Sequence, residues 1–124
     1  MKKLFLILII LINTNVFSQS QNVDFDNFIL NFNSSKFETI YQTFSPAMKK
    51  VRTKEYYSSF LTKIKKDYGT IINYNLLDFK INTQNTIRYN YDTTFENGNL
   101  TIRITINNHH KITGLYFLKN NVFL

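Results

Sequence analysis

An α+β fold is predicted for this chain: three N-terminal helices packed on a curved four-stranded antiparallel sheet. Three observations predict it. Up to residue 68 the apolar residues recur at three- and four-residue spacing, from residue 71 they recur at every second position, and Asn97-Gly98 interrupts that alternating half. A period near 3.6 marks amphipathic helix and a period of two marks strand. Asn-Gly between alternating runs is the strongest short hairpin signal. Helices first and strands after give segregated layers rather than alternating βαβ units.

The helices come in order. Phe25, Phe28, Ile29 and Phe32 share one helical face, with Asp24 placed to cap. Ser35 with Glu38 three residues on reads as a reciprocal capping pair for a second helix, whose stripe is Phe37, Ile40, Tyr41 and Phe44. Ser45-Pro46 stops it, because proline lacks the backbone donor and pushes the preceding residue out of helix. Thr53 caps a third helix with the stripe Tyr57, Phe60, Leu61, Ile64 and Tyr68, and Gly69 ends it. Lys63 and Lys66 fall opposite that stripe and Lys65 at its flank.

The strands follow. Ile72, Tyr74 and Leu76 alternate, then Leu77, Phe79 and Ile81 continue on the other parity, which predicts a bulge near Leu76-Leu77. Ile87 to Phe95 alternate with Arg88, Asn90, Asp92 and Thr94, and Leu100, Ile102, Ile104 and Ile106 answer them. A two-residue Asn97-Gly98 turn makes opposed residue numbers sum to 195, which pairs Tyr91 with Ile104 and Asp92 with Arg103, the latter as a surface ion pair. The last strand, 111–118, is apolar on both parities: Ile112, Tyr116 and Leu118 on one, Leu115 and Phe117 on the other. Whichever set turns outward forms a dimer or partner surface, or is covered by the tail Val122-Phe123-Leu124.

Ahead of the helices lies an address. Lys2 and Lys3, the apolar run Leu4 to Ile12 and the exit Val16-Phe17-Ser18 read as a secretory signal over residues 1–18, with a single domain over 19–124. Nine apolar residues rise only about 14 Å, too little for a bilayer core. The reading is a secreted or periplasmic protein with a cleaved signal and no transmembrane segment afterwards; a retained N-terminal anchor is the alternative. Without cysteine there is no lipoprotein linkage and no disulfide, so the core must hold by apolar burial, for which ten Phe and eight Tyr remain beyond residue 18.

Charge is uneven. Removing Lys2 and Lys3 leaves 13 basic against 8 acidic residues, and seven of the basic ones fall between Lys49 and Lys66 with Glu55 as the one acid among them. Lys49, Lys50, Arg52, Lys63 and Lys66 form a candidate anion- or partner-binding patch for phosphate, anionic lipid or acidic glycan, the alternative being a solvated helix face. No nucleic-acid partner is expected.

Three helices before a bent antiparallel sheet is the layout of the NTF2-like, cystatin-like cone. More specifically, Phe25-Asp26-Asn27-Phe28-Ile29, the Phe37 to Phe44 helix with Ser45-Pro46-Ala47-Met48-Lys49, Asp67-Tyr68-Gly69 and Lys111-Ile112-Thr113-Gly114-Leu115-Tyr116-Phe117 resemble the family of unknown function DUF3887. That resemblance implies an accessory module, in relatives often joined to exported hydrolases, and it carries no functional residue with it. The third helix here lacks the tryptophan common in relatives; Tyr57 or Phe60 stands in its place.

Catalytic signatures are missing: there is no Gly-x-Ser-x-Gly, no Ser-x-x-Lys and no glycine-rich phosphate loop. His109-His110 reads as an exposed turn rather than a zinc site, since no cysteine or nearby carboxylate completes a ligand set. Tyr57, Tyr74, Tyr89, Tyr91 and Tyr116 are a candidate ligand-binding pocket inside the cone, against the alternative of a packed core. An isomerase-like site would need an inward carboxylate, for which Asp78 is the one sheet acid whose face the bulge leaves open. The expectation is a non-enzymatic exported binding module without a cofactor. Its partner would be an exported hydrolase, a cell-envelope component or a second copy on the outer sheet face; a small apolar ligand among the tyrosines is the alternative.

Overall fold

The structure, a computed structural model, describes residues 23–119; the signal at 1–18 and the tail at 122–124 lie outside the described residues. Four helices precede one antiparallel sheet: α1 (Val23–Asn33), α2 (Phe37–Gln42), α3 (Pro46–Val51) and α4 (Lys54–Tyr68), then β1 (Ile71–Ile81), β2 (Thr86–Phe95), β3 (Gly98–Asn107) and β4 (Ile112–Leu118) in the spatial order β1-β2-β3-β4. The α+β class is as predicted, with one more helix. α2 stops at Gln42, with Thr43 as its C-cap and Phe44 bridged to Ile112, so Ser45-Pro46 opens α3 rather than ending α2: the Ser45 hydroxyl accepts from Met48 N at 3.2 Å and Pro46 sits in the first turn, where its missing donor costs nothing.

The capping pair at Ser35 does not form. Ser35 takes φ 58° as the residue after α1, with Ser35 N donating to Phe32 O and Lys36 N to Asn31 O, the paired bonds of a left-handed helix stop. Having closed α1, it cannot cap α2, whose N-cap is Lys36 without a side-chain bond. Thr53 does cap α4, accepting from Tyr56 N at 3.1 Å. Gly69 ends that helix at φ 80°, ψ −160°, a region open essentially to glycine.

In the sheet the bulge at Leu76-Leu77 is present, with a second irregularity between Ile71 and Asn73. The hairpin register is two residues off the predicted one. Phe95 pairs with Gly98, Tyr91 with Ile102, Asp92 with Thr101 and Asn90 with Arg103, so Asp92 and Arg103 are not opposed. The turn tip is Glu96-Asn97 because the α4–β1 joint holds it there. Glu96 N donates to Thr70 O, Asn97 N donates to Tyr68 O, and the Glu96 carboxylate accepts from both Thr70 N and Thr70 Oγ1 at 2.8 Å. Those Thr70 bonds hold the Glu96 carboxyl below its ordinary pKa. A two-residue slip preserves parity, so every inward side chain stays inward.

The core lies between the helices and one face of the sheet. Phe25, Phe28, Phe32, Ile40, Phe44 and Leu61 meet Tyr91, Phe95, Ile102 and Ile104, all 3% exposed or less. β4 settles its parity by pairing Leu115 with Ile104 and Phe117 with Ile102: these two face the helices, while Tyr116 and Leu118 face outward. Phe117 lies 5.7 Å from Phe60 and 6.3 Å from Phe28, ring to ring. The joint between α2 and α3 is tied to the start of β4, Ser45 N donating to Ile112 O and Ile112 N to Thr43 O, both at 2.8 Å.

Candidate functional site

Among the described residues the helices leave one end of the inner sheet face bare. Eleven residues of α1 rise about 16 Å, whereas the eleven of β1 extend about 36 Å. α1 is anchored at the near end, where Asn33 Nδ2 donates to Ile71 O and Asn33 Oδ1 accepts from Ile71 N. It reaches only as far as the middle strands. Beyond it, Leu76, Phe79 and Ile81 are 46%, 57% and 69% exposed, although they pair with Tyr91, Tyr89 and Ile87 on the inward side. Leu77, at the bulge, is 58% exposed.

This end holds a cleft of about 460 Å³ with an apolar floor of Ile81, Ile87, Tyr89 and Ile106. Asp24 and His110 form its wall, His110 Nδ1 lying 3.0 Å from Asp24 Oδ2. The β3–β4 loop brings that ring round: His110 has φ 60°, and Asn107 Oδ1 accepts from both His109 N and Lys111 N. Sequence reading placed His110 on an exposed turn and left it without a carboxylate. The ring is indeed exposed, yet its partner lies 86 residues away on α1, a distance no local motif spans.

Of the five predicted pocket tyrosines, three come together and two do not. Tyr91 stacks on Phe25 at 4.0 Å and meets Tyr74 edge-on at 5.4 Å, with Tyr89 5.9 Å away. This is packed aromatic core, and of the five only Tyr89 reaches the cleft floor. Tyr74 donates its hydroxyl to the Asp26 carboxylate; burial first, then that bond and charge, push its pKa up to about 12. Burial also raises Tyr89, with Asp24 adding to it, and raises Tyr91. Tyr57 sits under the α2–α4 helices, T-shaped on Phe44 at 4.8 Å and donating to Met48 O; burial raises its pKa against the lowering effect of Arg52. Tyr116 is on the outer face opposite Arg103 and 58% exposed, so it belongs to no inner pocket.

The inward acids come from α1, not from the sheet. Asp78 lies on the outer face opposite Asn90, whose Nδ2 donates to it at 2.6 Å while Arg103 Nε donates to Asn90 Oδ1 at 2.9 Å. That relay crosses three strands and replaces the predicted Asp92–Arg103 pair as the polar tie of the outer face. Among the described residues no three His, Cys, Asp or Glu side chains gather as a metal centre requires.

The basic residues divide into two groups. Lys49 lies over the Tyr41 ring at 5.4 Å and Arg52 over the Tyr56 ring at 5.0 Å, with Lys50 exposed beside them at the α3–α4 corner. Lys63 lies about 13 Å along α4 from its start at Lys54. There Lys63 and Lys66 border a shallow groove with Ser58, Ser59 and Thr62, and Asp67 lies among them. Lys65 turns away, its ammonium donating to Asn33 O and Ser35 Oγ at 2.7 Å, so it serves the fold.

The protein family described as "Protein of unknown function (DUF3887)" matches residues 26–115, from the middle of α1 into β4. The chain belongs to the DUF3887 family. The matched span includes all of β1, β2 and β3 and leaves out Asp24, Phe25 and the last residues of β4. No curated protein and no solved structure matches the chain. Among the described residues no helix is long and apolar enough to cross a membrane.

Proposed function

We propose that this DUF3887 protein is an exported, non-catalytic binding module of the NTF2-like (cystatin-like) cone type. It takes a partner protein or cell-envelope component on the bare end of its sheet. One observation carries this reading: Leu76, Leu77, Phe79 and Ile81 stand exposed side by side on a strand whose first residue, Ile71, is core. Contiguous exposed apolar surface rimmed by polar groups marks interaction sites. The rim here is Asn85, Thr86, Asn107 and Asn108 together with the Asp24–His110 pair, which suits an apolar partner with hydrogen-bonding edges. The charged N-terminus and apolar run at Leu4 to Ile12 support export. A catalytic reading has less behind it, since among the described residues the cleft beside Asp24 and His110 is lined by no serine or cysteine.

A second reading has one observation in its favour. The 460 Å³ cleft lies within the ~300–1,000 Å³ of small-molecule sites, so a small apolar ligand fits there, on Tyr89 rather than among five tyrosines. Nile red, a neutral apolar dye, tests the shared premise. Its fluorescence should rise with the native protein and fall several-fold with the Phe79→Ser, Ile81→Ser double variant; equal uptake by both would remove the bare end as a binding surface.

A further inference from the structure

We infer that the free edge of β1 pairs antiparallel with the same edge of a second copy of this chain, centred on Phe79, with Asp78 of each copy opposite Lys80 of the other. This rests on the reading of the bare end as a binding surface and names its partner.

Among the described residues β1 is an edge strand eleven residues long, without proline and with Lys80 as its one lysine. Folded proteins usually blunt such an edge, because its unpaired backbone groups accept another strand. The other edge, β4, has seven residues and is already bound at its start by the α2–α3 joint. Exposed large apolar residues are densest on β1, with four of them within Leu76–Ile81. A chain of net charge +7 repels its own copies, but β1 carries Asp78 and Lys80 and no other charge, so this edge adds no net charge to that repulsion.

Charge then selects the register. Beyond the bulge, Asp78 and Lys80 point outward while Phe79 and Ile81 point inward. Opposed residues of antiparallel strands share a face, so a twofold axis must pass through a residue. Centring on Asp78 sets Asp78 against Asp78, and centring on Lys80 sets Lys80 against Lys80; like charges directly opposed are destabilising. Centring on Phe79 makes two Asp78–Lys80 pairs, sets Phe79 against Phe79 and Leu77 against Ile81.

Within one chain these charges have poor company. Lys80 is opposite Arg88 across β2, it has no ion-pair partner among the described residues, and Arg88 Nε is itself buried without a hydrogen-bond partner. Asp78 has given Oδ1 to Asn90. An incoming Asp78 carboxylate beside Lys80 gives that ammonium the counter-charge it lacks among the described residues. The product is an eight-stranded sheet in which the two bare ends form one continuous inner surface.

Sedimentation equilibrium over a concentration series tests the pairing. The native protein should be a reversible dimer and Asp78→Lys and Lys80→Asp each a monomer. An equimolar mixture of the two variants should dimerise again, because the two lysines of the first variant then face the two carboxylates of the second. Lys80 makes no ion pair among the described residues, so the association of Lys80→Asp reads the interface even where Asp78→Lys disturbs Asn90; circular dichroism confirms the fold of each. Association of Lys80→Asp equal to that of the native protein, or a mixture that stays monomeric, overturns the proposal. A native protein that is monomeric throughout yet takes up Nile red through Phe79 and Ile81 overturns the pairing and leaves the binding-module reading standing. One that is monomeric and takes up no dye defeats both.

Discussion

The two ends of the inward face of β1 carry the same residue and meet opposite fates. At its start Ile71 is 6% exposed, held to α1 through Asn33 and paired with Phe95; ten residues on, Ile81 is 69% exposed in the same strand and on the same face. Both are isoleucines, and both stand opposite an inward apolar residue of β2. Period two states which face a side chain takes; whether anything covers that face depends on the length of the helix laid over it. α1 is too short by about half, and the difference between a core and an exposed apolar face follows from that one mismatch.

Removing an aromatic ring from each half measures the contrast, and the covered half should show the largest effect. Phe32 is fully buried, with Phe28, Phe37 and Phe95 rings about it at 5.9, 6.0 and 5.9 Å. Phe32→Ala should cost about 3–5 kcal/mol by urea denaturation. A loss under about 1 kcal/mol would mean the near half is as loosely covered as the far one.

Next comes the joint that fixes the near half. Gly69 has φ 80°, and a Cβ there would lie 2.7 Å from Glu96 Oε1 and 2.9 Å from Glu96 Cβ. Gly69→Ala should cost about 1–3 kcal/mol through backbone strain and the displacement of Glu96 from Thr70. An unchanged melting temperature would show that the Glu96–Thr70 contact does not set the hairpin register.

Tyr74 marks the boundary between the halves. Its folded pKa is raised from 10.0 to about 12. A raised pKa favours the protonated form in the fold, so the stabilisation is complete below about pH 10 and is lost as pH rises through the folded value. Tyr74→Phe should cost about 1 kcal/mol at neutral pH, chiefly by leaving Asp26 without its donor. It should also flatten the stability decline that the native protein shows from pH 10.0 to about 12. A native alkaline profile no steeper than the variant's would place Tyr74 in water, with the bare end starting one turn earlier on α1.

Much of this was legible in sequence, and the failures share a cause. Thr53, Gly69 and the Leu76–Leu77 bulge each act through their immediate neighbours, so local chemistry predicted them. Ser35 failed because one residue had two local roles and closing α1 took precedence. The hairpin slipped by two because Glu96 answers to Thr70, twenty-six residues away. His110 found Asp24 across the length of the domain. Of the candidate site, Tyr74, Leu76, Phe79 and Ile81 do share the inner face, but Ile72, read with them, is 65% exposed because the irregularity after Ile71 gives Ile71 the inward place; the exposure of the far residues was invisible because it is set by α1 ending where it does.

The smallest effect belongs to the far half, and it is the one that most sharpens the comparison. Phe79 is a phenylalanine of the inner face, like Phe32 an aromatic residue on the core side of its element, but 57% exposed, and its one ring contact among the described residues is Tyr89 at 6.4 Å. Truncating an exposed side chain away from caps, turns and buried bonds changes stability by about 0.5 kcal/mol or less. Phe79→Ala, measured at protein concentrations low enough to hold the chain monomeric, should therefore leave the urea midpoint nearly where it was. At high concentration the same variant should lose association that the native protein shows, since the twofold contact at Phe79 is then missing. A ring whose removal is silent in the fold and costly in association is a surface residue placed for a partner. If instead Phe79→Ala costs several kcal/mol in the dilute monomer, the far half is core after all, covered by chain that belongs over it, and the contrast between the two ends of β1 disappears.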